Sequence, residues 1–170
     1  MVSSASISQS WQKVDQKHYG MKYELPVGWE IDGFGWSRDW ESVGSAVCDC
    51  SGTINIGNRW EEDEIYMVVY PTKYKDSLEN SKRVRVWDMV FQEKGPQRTH
   101  KTGHCLFEMQ AGKWQGDVNK RFQDDEVWRA KTTAKKQHYV LYFWADPSVM
   151  EENEETIFRI IDSFHPVKAR

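Results

Sequence analysis

Apolar and polar residues alternate through Tyr19, Met21, Tyr23 and Leu25, with Gly20, Lys22 and Glu24 between them. That is the period of a half-buried strand. Pro26-Val27-Gly28 closes it with turn chemistry, and Trp29-Glu30-Ile31 begins the next extended segment. Gly33 and Gly35 then loosen a loop that carries Phe34, Trp36 and Trp40. Residues 45–56 read as extended again, interrupted at Gly52 by a bulge or turn. After an acidic loop at 60–64, the apolar run 65–70, ended by Pro71, fits a buried central strand.

Val84, Trp87 and Phe91, with Val86 and Val90, recur at helical spacing behind a capping-box pattern at Asp76 and Glu79. With the stop at Lys94-Gly95-Pro96, the spacing predicts a helix over 77–94. Residues 104–111 alternate as a strand, 112–116 read as a turn around Trp114, and 118–122 as a further strand. Segments 127–133 and 138–145 form a hairpin with a polar, basic tip at 134–137. A second helix is predicted over 148–163: Asp146 caps it, and Pro147 suits its first position. Glu151, Glu152, Glu154 and Glu155 favour its positive start, and Ile157, Ile160, Ile161 and Phe164 form one apolar stripe.

This order of strands, helix, antiparallel strands and helix predicts an α+β fold, an antiparallel sheet flanked by helices. Residues 1–17 show no clear period and are expected to be a flexible N-terminal segment, with order beginning at His18. Residues 18–170 are expected to form a single α+β domain.

Composition sharpens the β assignment. The chain of 170 residues has nine Trp and seven each of Tyr and Phe, but only Leu25, Leu78, Leu106 and Leu141 as leucines. A helical bundle leans on Leu; aromatics and Val suit strands. The formal net charge is -3, from 26 acids against 23 bases, which gives no reason to expect nucleic acid as a partner. No run is long and apolar enough for a membrane span. The Ser-rich start has neither a basic nor an apolar region. It reads as a tether left after an export signal or as a frayed terminus. The former makes a periplasmic or extracellular location the expectation over a cytoplasmic one. The three cysteines, Cys48, Cys50 and Cys105, leave at least one thiol unpaired. A bridge between Cys48 and Cys50 would be strained, and a bridge from one of them to Cys105 is sterically easier.

The segment from Tyr19 to Trp29, with its Pro26-x-Gly28-Trp29 turn, resembles the opening strand and turn of PsbP-like domains. The hairpin at 127–145 followed by Phe158-Arg159-Ile160-Ile161-Asp162-Ser163-Phe164 is similar to the closing strands and final helix of that group. The resemblance implies an α/β/α sandwich, a fold shared with a Ran-binding nuclear import factor and with bacterial PsbP-like lipoproteins. It implies an accessory role rather than catalysis, since the shared residues are structural.

The chemistry-bearing residues are sparse. His100, His104 and Cys105, with Cys48-x-Cys50 upstream, present mixed nitrogen and sulfur ligands, but at no zinc-finger spacing. Small buried strand cysteines and loop histidines are the plainer reading. No nucleophile elbow, phosphate loop or dinucleotide fingerprint occurs. The acidic runs 61–64 and 124–126 lack calcium-loop spacing and read as solvated loops. No cofactor and no metal are expected. Trp36, Trp40, Trp60 and Trp114 fall in predicted loops, where they either present a binding surface or fold back over the sheet. The expected function is that of a non-catalytic binding or accessory domain working through protein–protein contacts. Its surface would centre on Phe34, Trp36, Arg38, Trp40, Trp60, Glu61 and Glu62, because aromatics and Arg dominate binding energy. A small-ligand or carbohydrate binder using Trp36, Trp40 and Trp60 is the alternative, and a metal-dependent enzyme the second.

Overall fold

The computed structural model describes residues 10–31, 44–49, 64–72, 85–86, 89–116, 122–134 and 136–168. In chain order the strands are β1 (Trp11–Gln16), β2 (Met21–Pro26), β3 (Glu30–Ile31), β4 (Gly44–Asp49), β5 (Glu64–Thr72), β6 (Arg85–Val86), β7 (Met89–Glu93), β8 (Arg98–Lys101), β9 (Leu106–Gln115), β10 (Glu126–Ala134), β11 (Gln137–Ala145) and β12 (His165–Pro166). The helices α1 (Pro147–Glu152) and α2 (Glu154–Ser163) lie between β11 and β12. All pairings among the described residues are antiparallel. The fold is α+β, as the order of elements predicts.

A nine-stranded sheet runs β3-β4-β5-β11-β10-β9-β7-β6, with β8 pairing the first half of β9. β11 is central, and its residues from Tyr139 to Ala145 are buried whichever face they point to. A strand covered on both faces reads as continuous apolar sequence rather than alternation. Its hairpin with β10 keeps register to Ala134 opposite Gln137, leaving a two-residue turn. Lys136 there takes φ 65, the left-handed conformation such tight turns require.

Each face of the sheet has its own core. On the first, Ile65, Met67, Val69, Leu141 and Phe143 meet Met21, Tyr23 and Leu25 of β2 and Ile157, Ile160 and Ile161 of α2. On the second, Tyr66, Val68, Phe91, Trp114, Phe122, Tyr142 and Trp144 cluster. Trp144 stacks on Tyr66 at 5.4 Å between centroids and takes Trp114 and Phe122 edge-on. Rings bury more area than leucines, which accounts for the aromatic excess.

The closing helix region follows its signals with one interruption. Asp146 Oδ1 accepts the Ser148 backbone N–H at 3.0 Å, and Pro147 opens α1. The predicted continuous helix 148–163 is instead broken at Asn153. Glu151 and Glu152 would stand at the negative end of α1, whereas restarting at Asn153 puts Glu154 and Glu155 in the first turn of α2. Ile157, Ile160, Ile161 and Phe164 are all fully buried, so the stripe is core.

Three expectations are corrected. Order begins before His18: β1 pairs β2 along its whole length. Its inward positions include Gln12 and Gln16, so hydropathy does not mark it, and Gln12 Nε2 spans to the carbonyls of Pro26 and Trp29. Within the predicted helix 77–94, residues 85–86 and 89–93 are strands. Met89 and Phe91 both point into the second core, and β-branched Val86 and Val90 favour strand over helix. Residues 77–84, with the capping pattern, lie outside the described residues. Finally, 112–116 is not a turn, because β9 continues to Gln115. Phe122 begins a turn instead of ending a strand, with the Asp125 N–H bonded to its carbonyl.

The second sheet joins the two ends of the chain. It runs β1-β2-β12, with His165 opposite Lys22 and Pro166 opposite Met21. Where β12 stops, Ser163 Oγ takes over and accepts the Glu24 N–H at 2.8 Å.

Candidate functional site

The surface expected from sequence, Phe34, Trp36, Arg38, Trp40, Trp60, Glu61 and Glu62, lies outside the described residues, as does Cys50. Trp114, the fourth expected loop tryptophan, is a buried strand residue, 4% exposed. Trp29 and Trp144 are buried, and Trp128 is partly buried against the first core.

The described residues form a different concavity. β1 and β2 supply one wall, with Lys13, Val14 and Asp15 beside Lys22, Tyr23 and Glu24. The end of α2 supplies the other through Arg159, Asp162 and Ser163. His104, from the turn before β9, and His165 of β12 complete a groove of about 540 Å³. That lies within the size range of ligand clefts.

Each lining group is positioned by local chemistry. Thr102 Oγ1 accepts the N–H groups of His104 and Cys105 at 3.1 and 2.9 Å, which folds the turn and holds His104 out. The His104 and His165 rings stack at 4.6 Å between centroids. His165 Nδ1 lies 3.0 Å from the Ser163 carbonyl, so that nitrogen donates and Nε2 is left as the acceptor. The Arg159 guanidinium lies over the Trp11 ring, 4.1 Å from its centroid. A face-on ring orients a guanidinium and leaves its edge donors available. Asp162 takes His100 Nε2 at 2.7 Å, and the His100 ring also meets Phe158 edge-on. Asp15 is shared by Lys17 and Lys22, each at 3.6 Å.

Ser163 beside His165 is the nearest approach to a nucleophile and base. Its hydroxyl is already engaged twice: it donates to the Ile160 carbonyl at 2.7 Å and accepts from Glu24. It ties α2 to β2 and is not poised to attack. Cys105 is a free thiol, half-buried, facing the Phe164 carbonyl at 4.0 Å. Burial pushes its pKa up, and a hydrogen bond with Thr132 offsets this in part. A thiol held in its neutral form is a poor nucleophile. Among the described residues, no group of three or more His, Cys, Asp or Glu side chains is arranged to hold a metal ion. His100 and His104 diverge, one to Asp162 and the other to His165. Also among the described residues, no helix is long and apolar enough to cross a membrane.

Sequence reasoning named His100 and His104 but missed Lys13, Lys22, Arg159 and His165. The only sequence signal for these was the helical position of Arg159 on the flank of the apolar stripe.

Neither a protein-family model nor a curated protein sequence matches the chain. Solved structures do. The solution structure of cyanobacterial PsbP (CyanoP) from Synechocystis sp. PCC 6803 matches with a TM-score of 0.62 at 13% identity, covering 98% of each chain. The Ran-binding protein Mog1p of Saccharomyces cerevisiae matches with a TM-score of 0.53 at 10% identity, over 94% of this chain and 97% of that one. LpqN of Mycobacterium tuberculosis, involved in cell envelope biogenesis, matches with a TM-score of 0.52 at 12% identity, over 96% and 94%. Identities this low speak to architecture alone, and on that architecture, matched nearly end to end, the chain has a PsbP-like fold.

Proposed function

We propose that this chain is a non-catalytic binding domain that acts through contacts with a protein partner. The observation that carries the reading is the double engagement of Ser163 by backbone groups, which leaves the groove furnished for recognition and, among the described residues, without an activated nucleophile. Recurrence of the fold in a Ran-binding protein supports a protein as the partner. Its recurrence in a protein of cell envelope biogenesis supports an exported location. The aromatic loops with Phe34, Trp36, Arg38, Trp40, Trp60, Glu61 and Glu62 are proposed as a second contact surface, on residue type alone.

The test is to capture the partner from the source cells, identify it by mass spectrometry and rebuild the complex from purified components. A saturable complex of fixed stoichiometry is expected by sedimentation. Trp36→Ala and Trp60→Ala should weaken it without lowering the unfolding midpoint. Failure of every captured candidate to reassemble would refute the binding reading. Large stability losses in both variants, with binding by the folded fraction unchanged, would refute the loop surface.

A further inference from the structure

The groove carries an imbalance that names the chemistry of its occupant. Two of its three acids are spoken for, and the third, Glu24, closes no ion pair among the described residues. Asp15 is shared by two lysines, and Asp162 is taken by His100. Of its cations, Lys22 is held by Asp15. Among the described residues, Arg159 lies on the Trp11 ring and closes no ion pair, and Lys13 stands opposite Glu24 in register without closing one. Also among the described residues, the His104 ring is stacked on His165.

We propose that the groove takes an acidic, extended segment of a partner protein, with Arg159 as the carboxylate anchor. The proposal rests on the binding reading above and supplies the chemistry of the partner. The Arg159 fork is held in place by Trp11, so its paired N–H groups meet a carboxylate with little further ordering. Lys13, from the opposite wall, holds a second carboxylate. The stacked imidazole rings of His104 and His165 form the end of the groove: His104 donates to the peptide backbone or to a third acid, and His165 Nε2 accepts a peptide N–H. Val14 and Tyr23 give the floor an apolar strip against which aliphatic stems can lie.

The probe is a fluorescein-labelled hexapeptide of alternating aspartate and glutamate, read by anisotropy against its asparagine–glutamine analogue. The acidic peptide is expected to saturate below roughly 1 mM and to weaken as salt rises. Arg159→Ala should cost about tenfold or more, the ordinary loss for a charged hydrogen-bonded pair, and Arg159→Lys should recover only part of it. Lys13→Ala, which removes no contact seen in the fold, should also weaken binding with the melting curve unchanged. Equal binding of the amide analogue, or unchanged affinity in both alanine variants, overturns the proposal. Tighter binding of a short DNA duplex or of phosphatidylglycerol vesicles, lost with Arg159→Ala, overturns the choice of occupant. A reconstituted partner complex that survives Arg159→Ala leaves the binding function standing and removes this groove from it.

Discussion

Replacing Gly112 with alanine tests how β7 lies across β9. Gly112 sits in the strand opposite Glu93 on one side and Val127 on the other. A Cβ placed there would overlap the Gln92 carbonyl oxygen and the edge of the Phe91 ring, closer than real Cβ atoms approach. Neither neighbour can yield easily. The carbonyl is strand backbone. The ring is hemmed by Trp114 at 6.1 Å and Tyr142 at 5.6 Å, and has the Arg129 guanidinium 4.5 Å from its centroid. Arg129 is itself 3% exposed and bound to Glu93 at 2.6 Å. Alanine would gain about 0.5–1 kcal/mol over glycine through the unfolded chain. Overpacking costs about 1–3 kcal/mol and more where the backbone must move. The overlap decides the sign: a net loss of about 2 kcal/mol is expected, or roughly 4–8 °C in the melting midpoint of a chain this size. Tryptophan fluorescence during heating and in urea measures it. In a Phe91→Ala background the same change should cost less, since one of its two obstacles is gone. An unchanged or raised midpoint for Gly112→Ala would show that Phe91 does not cross this position.

Two further outcomes are expected. Ile161→Ala should cost about 2–5 kcal/mol in urea unfolding, because the side chain is fully buried between α2 and the sheet; an unmoved midpoint would show that the stripe is not core. Tyr139 donates its hydroxyl to the Gly20 carbonyl at 2.8 Å, and burial, aided by the nearby Cys105 thiolate, pushes its pKa up to about 12. Burial raises Tyr23 as well. Unfolded tyrosine ionises near pH 10, so above that pH the unfolded chain holds fewer protons and stability falls as pH climbs towards about 12. Tyr139→Phe should flatten that decline in urea midpoints measured from about pH 9 to about pH 11, and an equal slope would contradict the burial argument.

Elements whose signals are local were legible in the sequence. The β10–β11 hairpin, the Asp146 cap and the isoleucine stripe each follow from residues a few positions apart. The errors arose where one pattern satisfies two periods or where a residue serves a distant neighbour. Phe91 lies at helical spacing from Val84 and Trp87, yet it also alternates with Met89, and only the presence of β9 decides between them. Gly112 looked like turn punctuation because nothing local shows a ring passing over it. The groove was the least legible part. Arg159 meets Trp11, and His104 meets His165, only because β12 returns to β2 and brings the C-terminal segment beside the first hairpin.

The return of the chain to its own beginning also sets a timetable for synthesis. Glu24 and Ser163 are 139 positions apart. At a ribosomal rate of about 5–20 residues per second, β2 waits on the order of ten seconds for the residues that complete its sheet. During that interval β1 and β2 are at most a two-stranded ribbon, which is marginal in water. Met21, Tyr23 and Leu25, fully or almost fully buried at the end, have no helix to lie against. Until α2 is made, those three side chains are left facing water. A stall anywhere before Ile157 leaves an adhesive edge, because the residues that would cover it have not yet been made.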